Sequence, residues 1–520
     1  MIEEKPGAIL NPSSSNLPPL VTDLLKPEQY PHNPKNITLV QTHISYVFIA
    51  DTYVYKIKKP VNFGFLDFSS QEKRRYFCEE ENRLNRRTSK DIYLKVVDIS
   101  EKNGRYFPED SSNPVEAAVK MRRLPDELMF YNLILVNRVT DEMLSRIAGT
   151  IADFHLNAET SEDISRYGGF DLIQSHSIEN FEQIKPYIGK TIELGLYKSL
   201  LAQTTKFITE NKKKFLSRVE NGCIRDCHGD LRPKHIFVSD RIDIIDCIEF
   251  NQSYRLQDTA SDIAFLTMEL DYMRRSDLSI TILNDYLSYT ADYDMVSVIN
   301  FYKTYRAIVR GKVASMTASD KSIPTEARQE AAGQAKKFFH LAENYTRKKE
   351  IEKKHLTLVI TCGLSGSGKS RAAGKLAKEI GAIVIRSDSV RKSLAGLQVT
   401  KHYKYGFEEG IYSNKDSERT YKRMLDQAKK ALMAGWPVIL DATFGKRRFR
   451  DDARALSQKT GVQFRILWCE APIAVLRERL SKRLTSPGKL SHEPSDAGPE
   501  ILELQARGFE PLNDEEKKFT

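Results

Sequence analysis

Cysteine is scarce in this chain, and no apolar run is long. The six cysteines stand at 78, 223, 227, 247, 362 and 469, and none forms a C-x-x-C pair. Scattered single cysteines indicate reduced thiols in a cytoplasmic protein and argue against a zinc site. No apolar stretch approaches the ~20 residues of a membrane span, so no membrane partner is expected. The N-terminus, MIEEKPGAILNPSSSNLPPL, lacks a basic start followed by an apolar segment, so we expect no secretory signal.

Positive charge exceeds negative charge, and the excess is uneven. The 520 residues carry a formal net charge of +10, with 40% hydrophobic and 29% charged residues. This composition is typical of a soluble globular protein, and the length predicts two or more domains. Between Lys446 and Arg483, eleven Lys/Arg stand against four Asp/Glu. The local excess indicates an anionic ligand, for which ATP alone would suffice. A nucleic-acid partner and ordinary solvated helix faces both stay open.

The stretch Gly363–Ser370, GLSGSGKS, fits the pattern G-x-x-x-x-G-K-[ST] in full. An apolar run at 356–361 predicts a strand before it, and 371–380 predicts a helix after it, which is the context this motif needs. Backbone N–H groups of such a loop, together with the helix N-terminus, bind phosphate oxygens. Lys369 is expected to reach the β- and γ-phosphates of ATP, and Ser370 to ligate Mg²⁺. The predicted nucleotide contacts of the loop are Gly363, Ser365, Gly366, Ser367, Gly368, Lys369 and Ser370. The alternative is an ordinary Gly/Ser-rich turn.

Three further strands are predicted in this half, at 382–386, 437–440 and 464–468. Helical patterns lie between them, which indicates a parallel, doubly wound sheet with its ligand beyond the carboxyl ends of the strands. Asp441 is placed there to help hold Mg²⁺ through water. Asp388 is placed to accept a proton from a substrate hydroxyl, with Arg391 one helical turn later to hold an anionic group. The alternative for Asp388 is an N-cap of the helix that begins near Ser389.

The glycine loop, the SD-x-VR element at 387–391, the VILDAT strand end and the segment Arg477–Arg483 together resemble small P-loop kinases. These include polynucleotide 5′-kinases, zeta-toxin-like kinases and chloramphenicol phosphotransferase. The resemblance implies phosphoryl transfer from ATP to a hydroxyl, with Arg479 or Arg483 in a lid over the transferring phosphate. The sensor elements and trans-acting arginine of ring-forming ATPases are not apparent, which disfavours an AAA-type motor.

A second motif, CHGDLRPKHIF at 227–237, is followed by the apolar stretch 242–250. The pair resembles the catalytic loop and metal-binding strand of aminoglycoside phosphotransferases, which share the protein-kinase fold. The resemblance implies that Asp230 is the base acting on the acceptor hydroxyl and that Asp246 holds Mg²⁺. His235 stands where the family has a metal-binding Asn, and Mg²⁺ prefers oxygen ligands. A degenerate kinase fold, kept for shape or for ATP binding, is the alternative.

The N-terminal region supports this second site. Residues 47–50 and 53–58 predict a hairpin across Asp51-Thr52, and Lys56 fits the strand lysine that holds the α/β-phosphates. In the helix predicted over 71–87, Glu80 is the expected ion-pair partner of Lys56, with a solvated helix surface as the alternative. Met121, in Val119–Met121, resembles the hinge that holds adenine through its backbone. Asp262 is expected to brace the catalytic loop.

We therefore expect a flexible tail at 1–25, an α+β bilobal kinase-like domain at 26–350 and an α/β P-loop kinase domain at 351–520. The domain order resembles bacterial fusions of an aminoglycoside phosphotransferase-like domain with a P-loop kinase. The predicted activity is ATP- and Mg²⁺-dependent transfer of phosphate to a hydroxyl acceptor, either a nucleotide, an RNA or DNA end or a small metabolite. The runner-up is an ATP-binding regulatory protein whose first domain is a pseudokinase controlling the P-loop domain or a partner. A third alternative is an ATPase switch with no acceptor, against which Asp388 argues.

Overall fold

A six-stranded antiparallel sheet with one long helix forms the first lobe. The computed structural model describes residues 17–64, 66–347, 356–399, 413–485 and 499–520. The spatial order of the strands is β1-β2-β3-β6-β4-β5. The elements are α1 (Pro19–Asp23), β1 (Ile37–Gln41), β2 (Ser45–Ala50), β3 (Tyr53–Lys58), α2 (Gln71–Asn85), β4 (Tyr93–Lys102), β5 (Arg105–Pro108) and β6 (Pro114–Arg122). The predicted hairpin across Asp51-Thr52 is confirmed as β2–β3.

Helix α1 lies inside the segment predicted as a flexible tail, so that prediction is wrong from Leu17 onward. Val21 and Leu24 are each 1% exposed and pack against the apolar face of the six-stranded sheet. Asp23 accepts a hydrogen bond from the backbone N–H of Tyr106 at 2.7 Å, which fixes the helix to β5. Leu20 and Leu25 also pack against this face of the sheet, although the surrounding composition is typical of a tail. Residues 1–16 lie outside the described part of the chain.

The second lobe is mostly helical and carries two short two-stranded ladders, β7–β10 and β8–β9. Its core is built from α4, α9, α10 and α11, and nearly every residue of α9 is buried. The elements are α3 (Phe130–Leu135), α4 (Asp141–Asn157), α5 (Glu162–Ser165), α6 (Phe170–Ile184), α7 (Leu194–Glu210), α8 (Lys212–Glu220), β7 (Ile224–Asp226), β8 (Ile236–Val238), β9 (Ile242–Ile244), β10 (Leu256–Asp258), α9 (Thr259–Tyr272), α10 (Ser276–Thr290), α11 (Ile299–Ser319) and α12 (Thr325–Arg347).

A four-stranded parallel sheet in the order β12-β13-β11-β14 forms the core of the remaining part. Every neighbouring pair of strands is parallel, as the alternation of apolar runs and helical patterns predicted. The elements are β11 (Thr357–Cys362), α13 (Lys369–Ile380), β12 (Ile383–Arg386), α14 (Ser387–Leu394), α15 (Asn414–Met433), β13 (Val438–Asp441), α16 (Arg447–Thr460), β14 (Gln463–Trp468), α17 (Ile473–Thr485), α18 (Pro499–Gly508) and α19 (Asp514–Lys517). In the described parts of the chain, no helix combines the length and the apolarity needed to cross a membrane.

Helix α10 joins the second lobe to edge strand β12 of the parallel sheet. The Asn284 side-chain amide donates to the Ala382 carbonyl at 2.9 Å, and its oxygen accepts from the Val384 N–H at 2.9 Å. The Arg386 N–H donates to the Tyr293 hydroxyl at 3.2 Å. The Asn284 amide thereby satisfies groups on the side of β12 that no strand covers, since an open sheet edge otherwise leaves its N–H and C=O groups unpaired.

Candidate active sites

Lys56 lies at the centre of the cleft between the two lobes. Its ammonium contacts a carboxylate oxygen of Glu81 at 2.8 Å and one of Asp246 at 2.7 Å. Burial by itself lowers the pKa of Lys56, but the nearby Asp246 and Glu81 carboxylates raise it well above its usual value. The lysine is therefore a fixed cation beside the residue predicted to hold metal. The structure brings Lys56 and Asp246 together as the sequence motifs implied.

The partner of Lys56 on helix α2 is Glu81, and the prediction of Glu80 is wrong. The buried positions of α2 are Cys78, Glu81, Leu84 and Asn85, which follow the helical repeat and put Glu81 on the inner face. Glu80 points away and pairs with Arg83 at 2.8 Å. Cys78 and Leu84, each three residues from Glu81, indicate this face in the sequence, but the packing of α2 against the sheet selects it.

A second buried lysine, Lys58, shares Glu81 with Lys56. Lys58 is 1% exposed, contacts the other Glu81 oxygen at 2.8 Å and also pairs with Glu249. Burial lowers the pKa of Lys58, and the Glu249 and Glu81 carboxylates more than offset this and raise it. The alternation of two lysines with two glutamates satisfies each buried charge, which an isolated buried ion could not achieve. Sequence reasoning missed Lys58 and Glu249, since no motif marks them.

Asp262 stabilises the loop that carries Asp230, as predicted. The carboxylate of Asp262 accepts hydrogen bonds from the backbone N–H groups of His228 and Gly229, both at 2.9 Å. Burial would raise the pKa of Asp262, but its hydrogen bond to His155 and the neighbouring histidines lower it to about 2. Gly229 has φ of 84°, and a Cβ there would lie 2.8 Å from the carbonyl oxygen of Tyr254. The loop therefore requires glycine at this position.

Asp230 and His235 are linked by an arginine that the sequence reasoning did not use. One Arg232 nitrogen donates to an Asp230 carboxylate oxygen at 2.7 Å and contacts His235 Nε2 at 3.1 Å. His235 Nδ1 contacts the Asp230 carbonyl oxygen at 2.8 Å. Burial and Arg232 lower the pKa of His235, so the ring is neutral, with Nδ1–H as the donor and Nε2 as the acceptor. Burial opposes ionisation of Asp230, and Arg232 and His235 nevertheless lower its pKa.

Asp230, His235 and Asp246 form a group with metal-ligating atoms that all lie within 4.8 Å of one another. Burial would raise the pKa of Asp246, but Lys56 and His235 lower it below its usual range, so both carboxylates are ionised. The Asp246 carboxylate suits Mg²⁺, whereas the lone pair of His235 Nε2 accepts the Arg232 hydrogen bond in this arrangement. The residues therefore fit one Mg²⁺ held by Asp246 better than two Mg²⁺ ions of which His235 would hold the second.

The segment Val119–Met121, predicted as the hinge, lies inside β6. Met121 pairs in register with Val54 on one side and with Tyr93 on the other, so its backbone is engaged in the sheet. The prediction that the Met121 backbone contacts adenine is therefore wrong. The strand ends at Arg122, and the chain crosses to the helical lobe just after it. The apolar run did not reveal the strand end because the residues before and after it are equally compatible with a strand.

The glycine loop connects β11 to α13 as predicted. Gly363, Gly366 and Gly368 have φ of 148°, 81° and 91°. A Cβ on Gly363 would lie 2.1 Å from the Cys469 carbonyl oxygen, which excludes any other residue. Lys369 Nζ donates to the Leu364 carbonyl at 2.8 Å, within its own loop, and burial lowers its pKa.

Ser370 and Asp441 meet at the carboxyl end of the parallel sheet. Burial raises the pKa of Asp441, while Arg386, paired with it in register across β12 and β13, and a Ser370 hydrogen bond lower it. Hydroxyl and carboxylate oxygens at one point are the ligand types that Mg²⁺ prefers. Asp388 lies close enough to act electrostatically on both Lys369 and Asp441.

The remaining predicted residues of this site lie on α14 and α17. Helix α14 begins at Ser387 and its N-cap is Arg386, with no side-chain capping bond, so Asp388 is in the first turn and the N-cap alternative is wrong. Arg391 follows in the same helix. Arg479 Nη1 donates to the Gly366 carbonyl of the glycine loop at 3.2 Å. Arg483 lies in α17, but its side chain is outside the described part of the structure.

The fold and these two sites define a protein with a bilobal, protein-kinase-like domain followed by a P-loop kinase domain. The family model described as an AAA domain, AAA_33, matches residues 358–512. The chain belongs to the family of the uncharacterized protein Rv2004c of Mycobacterium tuberculosis, with 30% identity over 451 residues, 86% of each chain. Uncharacterized protein Mb2027c of Mycobacterium bovis matches equally, at 30% over 451 residues.

Kinases also appear among the similar proteins. The shikimate kinase of Bartonella quintana is 26% identical over 153 residues, 29% of this chain and 65% of that enzyme. This homology confirms the prediction of an enzyme of the phosphotransferase class. Of solved structures, aminoglycoside 2′-phosphotransferase-IIIa with GDP matches 59% of this chain and 93% of its own, at 12% identity and a TM-score of 0.36. A gluconokinase from Sinorhizobium meliloti matches 31% of this chain and 79% of its own, at 19% identity and a TM-score of 0.22.

Proposed function

We propose that this chain is an ATP- and Mg²⁺-dependent phosphotransferase with two nucleotide sites, each moving the γ-phosphate of ATP to a hydroxyl. The observation that carries the proposal is the convergence of Lys56, Glu81, Asp246 and Asp230 in one cleft. These residues come from β3, α2 and two loops, up to 190 positions apart in the chain. A cation, an ionised metal-binding carboxylate and an ionised base in one cleft are the parts that phosphoryl transfer needs.

In the first site, Glu81 holds the Lys56 ammonium where it binds the α- and β-phosphate oxygens. Mg²⁺, when bound by Asp246, would neutralise the phosphate charge. Asp230 orients the acceptor hydroxyl and takes its proton, because its lowered pKa keeps it ionised at neutral pH. Arg232 fixes the Asp230 carboxylate by the 2.7 Å hydrogen bond.

In the second site, the loop N–H groups and Lys369 bind the phosphates of ATP. Ser370 and Asp441 would hold Mg²⁺, and Asp388 receives the proton of the acceptor hydroxyl. Arg391 binds an anionic group of the acceptor. Arg479, on α17, contacts the glycine loop and would stabilise the charge of the transferring phosphate, a role also proposed for Arg483.

The ion pairs made by the basic segment between Lys446 and Arg483 favour a small acceptor for the P-loop site. Several of its cations pair with carboxylates outside the segment: Arg448 with Glu418 at 2.8 Å, Arg450 with Glu516 at 2.6 Å, and Arg477 with Glu503 at 2.7 Å. Arg450 is 1% exposed and cannot meet a polyanion. A nucleic-acid acceptor would lose affinity by about 0.7–0.9 log units per log unit of salt for each phosphate contacted. We expect the apparent affinity for the acceptor to depend on salt concentration no more steeply than the affinity for ATP does. We also expect short RNA or DNA oligomers not to compete with the acceptor.

Full-length variants separate the two sites. Lys369→Ala should lower transfer from the P-loop site by about 10²–10³, and Asp246→Asn should lower transfer from the first site to a similar degree. The double variant should transfer little label from γ-labelled ATP. Matched controls are Lys375→Ala, on the exposed face of α13, and Asp240→Asn, in the β8–β9 turn. If the double variant keeps wild-type turnover, neither site is the one proposed here.

His235 keeps the pseudokinase alternative open, because it stands at the second metal-binding position and bonds to Arg232. The two functions differ in what Asp230→Asn does in a Lys369→Ala background. An active first site should keep ATP affinity and lose transfer, because the base acts on the acceptor and not on the nucleotide. A pseudokinase should show no transfer before or after the substitution, and Asp246→Asn alone should then change the turnover of the P-loop site.

A further inference from the structure

A small pocket of about 50 Å³ opens beside the loop that carries Asp230 in the first domain. The loop supplies Arg232 and Lys234, helix α9 supplies Glu269 and Tyr272, and α11 and α12 supply Arg310 and Phe338. A volume of this size holds a few water molecules or one small charged group, so the pocket can receive the anionic end of a ligand but not a whole sugar. No residue of the proposed nucleotide contacts, Lys56, Glu81 or Asp246, lines it. The pocket is therefore a separate space from the proposed ATP site.

Arg232 connects this pocket to the proposed base. It lines the pocket and donates to the carboxylate of Asp230 at 2.7 Å. Arg232 Nε is buried and has no hydrogen-bond acceptor among the described residues. A buried donor without a partner is costly, and an oxygen of a bound ligand would satisfy it. A ligand bound in the pocket would thus be separated from Asp230 by the Arg232 side chain alone.

The charges around the pocket are mostly positive. Three cations line it, Arg232, Lys234 and Arg310, and one carboxylate, Glu269, is already paired with Arg310 at 2.7 Å. The nearby Asp230 is likewise paired with Arg232. Both carboxylates at this place are thus neutralised by an arginine, which leaves no carboxylate in the described lining to receive an ammonium group. With three cations and one carboxylate, the lining carries a net charge of +2, which favours an anionic ligand over a cationic one.

Aromatic rings give the pocket an apolar wall. Tyr272 and Phe338 stack with centroids 4.0 Å apart, and the Arg310 guanidinium lies 5.2 Å from the Phe338 centroid. Lys234 lies 4.5 Å from the centroid of the Tyr131 ring. The rings hold the Arg310 and Lys234 cations in place beside the pocket.

We propose that this pocket binds the anionic group of the acceptor of the first domain, and that the acceptor is a small hydroxyl compound bearing a phosphate or carboxylate group. The anion contacts Arg232, Lys234 and Arg310, and a hydroxyl reaches Asp230. The hydroxyl oxygen bonds to the γ-phosphorus of ATP, the bond to the β–γ bridging oxygen breaks with its electron pair leaving on ADP, and the hydroxyl proton passes to Asp230. The inference rests on the proposed phosphotransferase function. It excludes a polycationic aminoglycoside as the preferred acceptor.

The test uses full-length protein with Lys369→Ala, so that only the first site turns over. Calorimetry measures binding of glucose 6-phosphate, gluconate, glucose and kanamycin in the presence of Mg·ADP, and transfer from γ-labelled ATP is measured with each compound. We expect binding of one or both anions, at least tenfold tighter than glucose, and no binding of kanamycin. The two anions distinguish phosphate from carboxylate recognition.

Lys234→Gln should weaken anion binding about tenfold, as loss of a charged hydrogen bond does, and leave ATP affinity unchanged. Arg310→Lys keeps the charge beside Glu269 and should retain most of the binding. The matched control is Lys206→Gln, an exposed lysine on α7. Equal or tighter binding of kanamycin, binding of neither anion, or no effect of Lys234→Gln would overturn the inference. Absence of ATP binding in the Lys369→Ala protein would instead overturn the proposed function of the first domain.

Discussion

Replacing Glu81 by glutamine tests which glutamate of α2 holds the first site together. Glu81 is fully buried, and its two oxygens contact Lys56 and Lys58, each at 2.8 Å. Glutamine keeps the volume but turns one of these oxygens into an N–H donor that faces an ammonium group. Breaking a buried ion pair on one side costs about 3–5 kcal/mol, because the other charge stays buried without its partner. We expect Glu81→Gln to destabilise the first domain by about 4 kcal/mol.

Glu80→Gln is the matched control, one residue away on the same helix. Glu80 pairs with Arg83 near the helix surface, and the Arg83 side chain is 56% exposed. Pairs of this kind contribute about 0.2–1 kcal/mol, so the substitution should have little effect. Equal damage from both variants would mean that the two glutamates share the role, and it would refute the assignment of the inner face to Glu81.

Urea unfolding of the full chain measures this loss. Both tryptophans, Trp436 and Trp468, lie in the P-loop domain, but the Trp436 indole N–H donates to the Val296 carbonyl of the first domain at 3.2 Å. Fluorescence therefore reports on the P-loop domain and its contact with the first domain, and far-UV circular dichroism follows both. With a slope of about 2.5 kcal/mol/M, a loss of 4 kcal/mol moves the midpoint of the first domain by about 1.5 M. The affinity for Mg·ATP at this site should also fall by about tenfold or more, since Lys56 is no longer held in place. An unchanged midpoint in Glu81→Gln would refute the reasoning.

Three further outcomes follow from the structure. Lys369→Ala should lower P-loop turnover by about 10²–10³ in initial-rate assays, because the lysine meets charge that develops on the β- and γ-phosphates, whereas Lys375→Ala should not. Asn284→Ala leaves an N–H and a C=O of β12 unpaired and should cost about 1–3 kcal/mol, read from the urea midpoint by tryptophan fluorescence; an unchanged midpoint would mean that this edge needs no partner. Burial lowers the pKa of His228 to about 4, below its unfolded value near 6.5, so the unfolded state binds the extra proton first. The contribution of His228 to the free energy of unfolding is fully present above about pH 6.5, and the free energy should fall by about 3 kcal/mol between pH 6.5 and pH 4. Thermal unfolding of the His228→Gln variant should not show this loss.

The sequence predicted the parts of the molecule that local patterns encode. Strand, glycine loop and helix around Lys369 follow from one contiguous motif, and the catalytic loop around Asp230 follows from another. The β2–β3 hairpin follows from two apolar runs separated by two residues. In each instance the residues that determine the structure are neighbours in the chain, so the pattern can be read without knowing the fold.

The features that the sequence did not reveal depend on contacts between distant residues. Three consecutive glutamates made the choice at 79–81 depend on which face of α2 is buried, and the packing of α2 against the sheet decides that. Lys58 meets Glu249 only because the two lobes close on each other. In the sequence, nothing distinguishes Arg232 from other cations in loops. Its contacts with Asp230 and His235 appear only in the structure. Each of these depends on tertiary packing, which a single sequence states only indirectly.

One helix, α10, contacts the surroundings of both candidate sites. On one side, the Tyr286 hydroxyl bonds to His155 at 2.9 Å, and His155 bonds at 3.1 Å to Asp262, the brace of the first catalytic loop. On the other side, Asn284 bonds to edge strand β12, and the Ser288 hydroxyl lies 3.2 Å from the hydroxyl of Ser389 in α14.

Helix α14 also carries Asp388 and Arg391, the proposed acceptor residues of the P-loop site. These residues are therefore supported by hydrogen bonds from the first domain as well as by their own sheet. Because α10 is buried along most of its length, it can transmit a displacement only as a packed unit. The loop that carries Asp230, through Asp262 and His155, and helix α14, through Ser389, are thus linked by hydrogen bonds to the same packed helix.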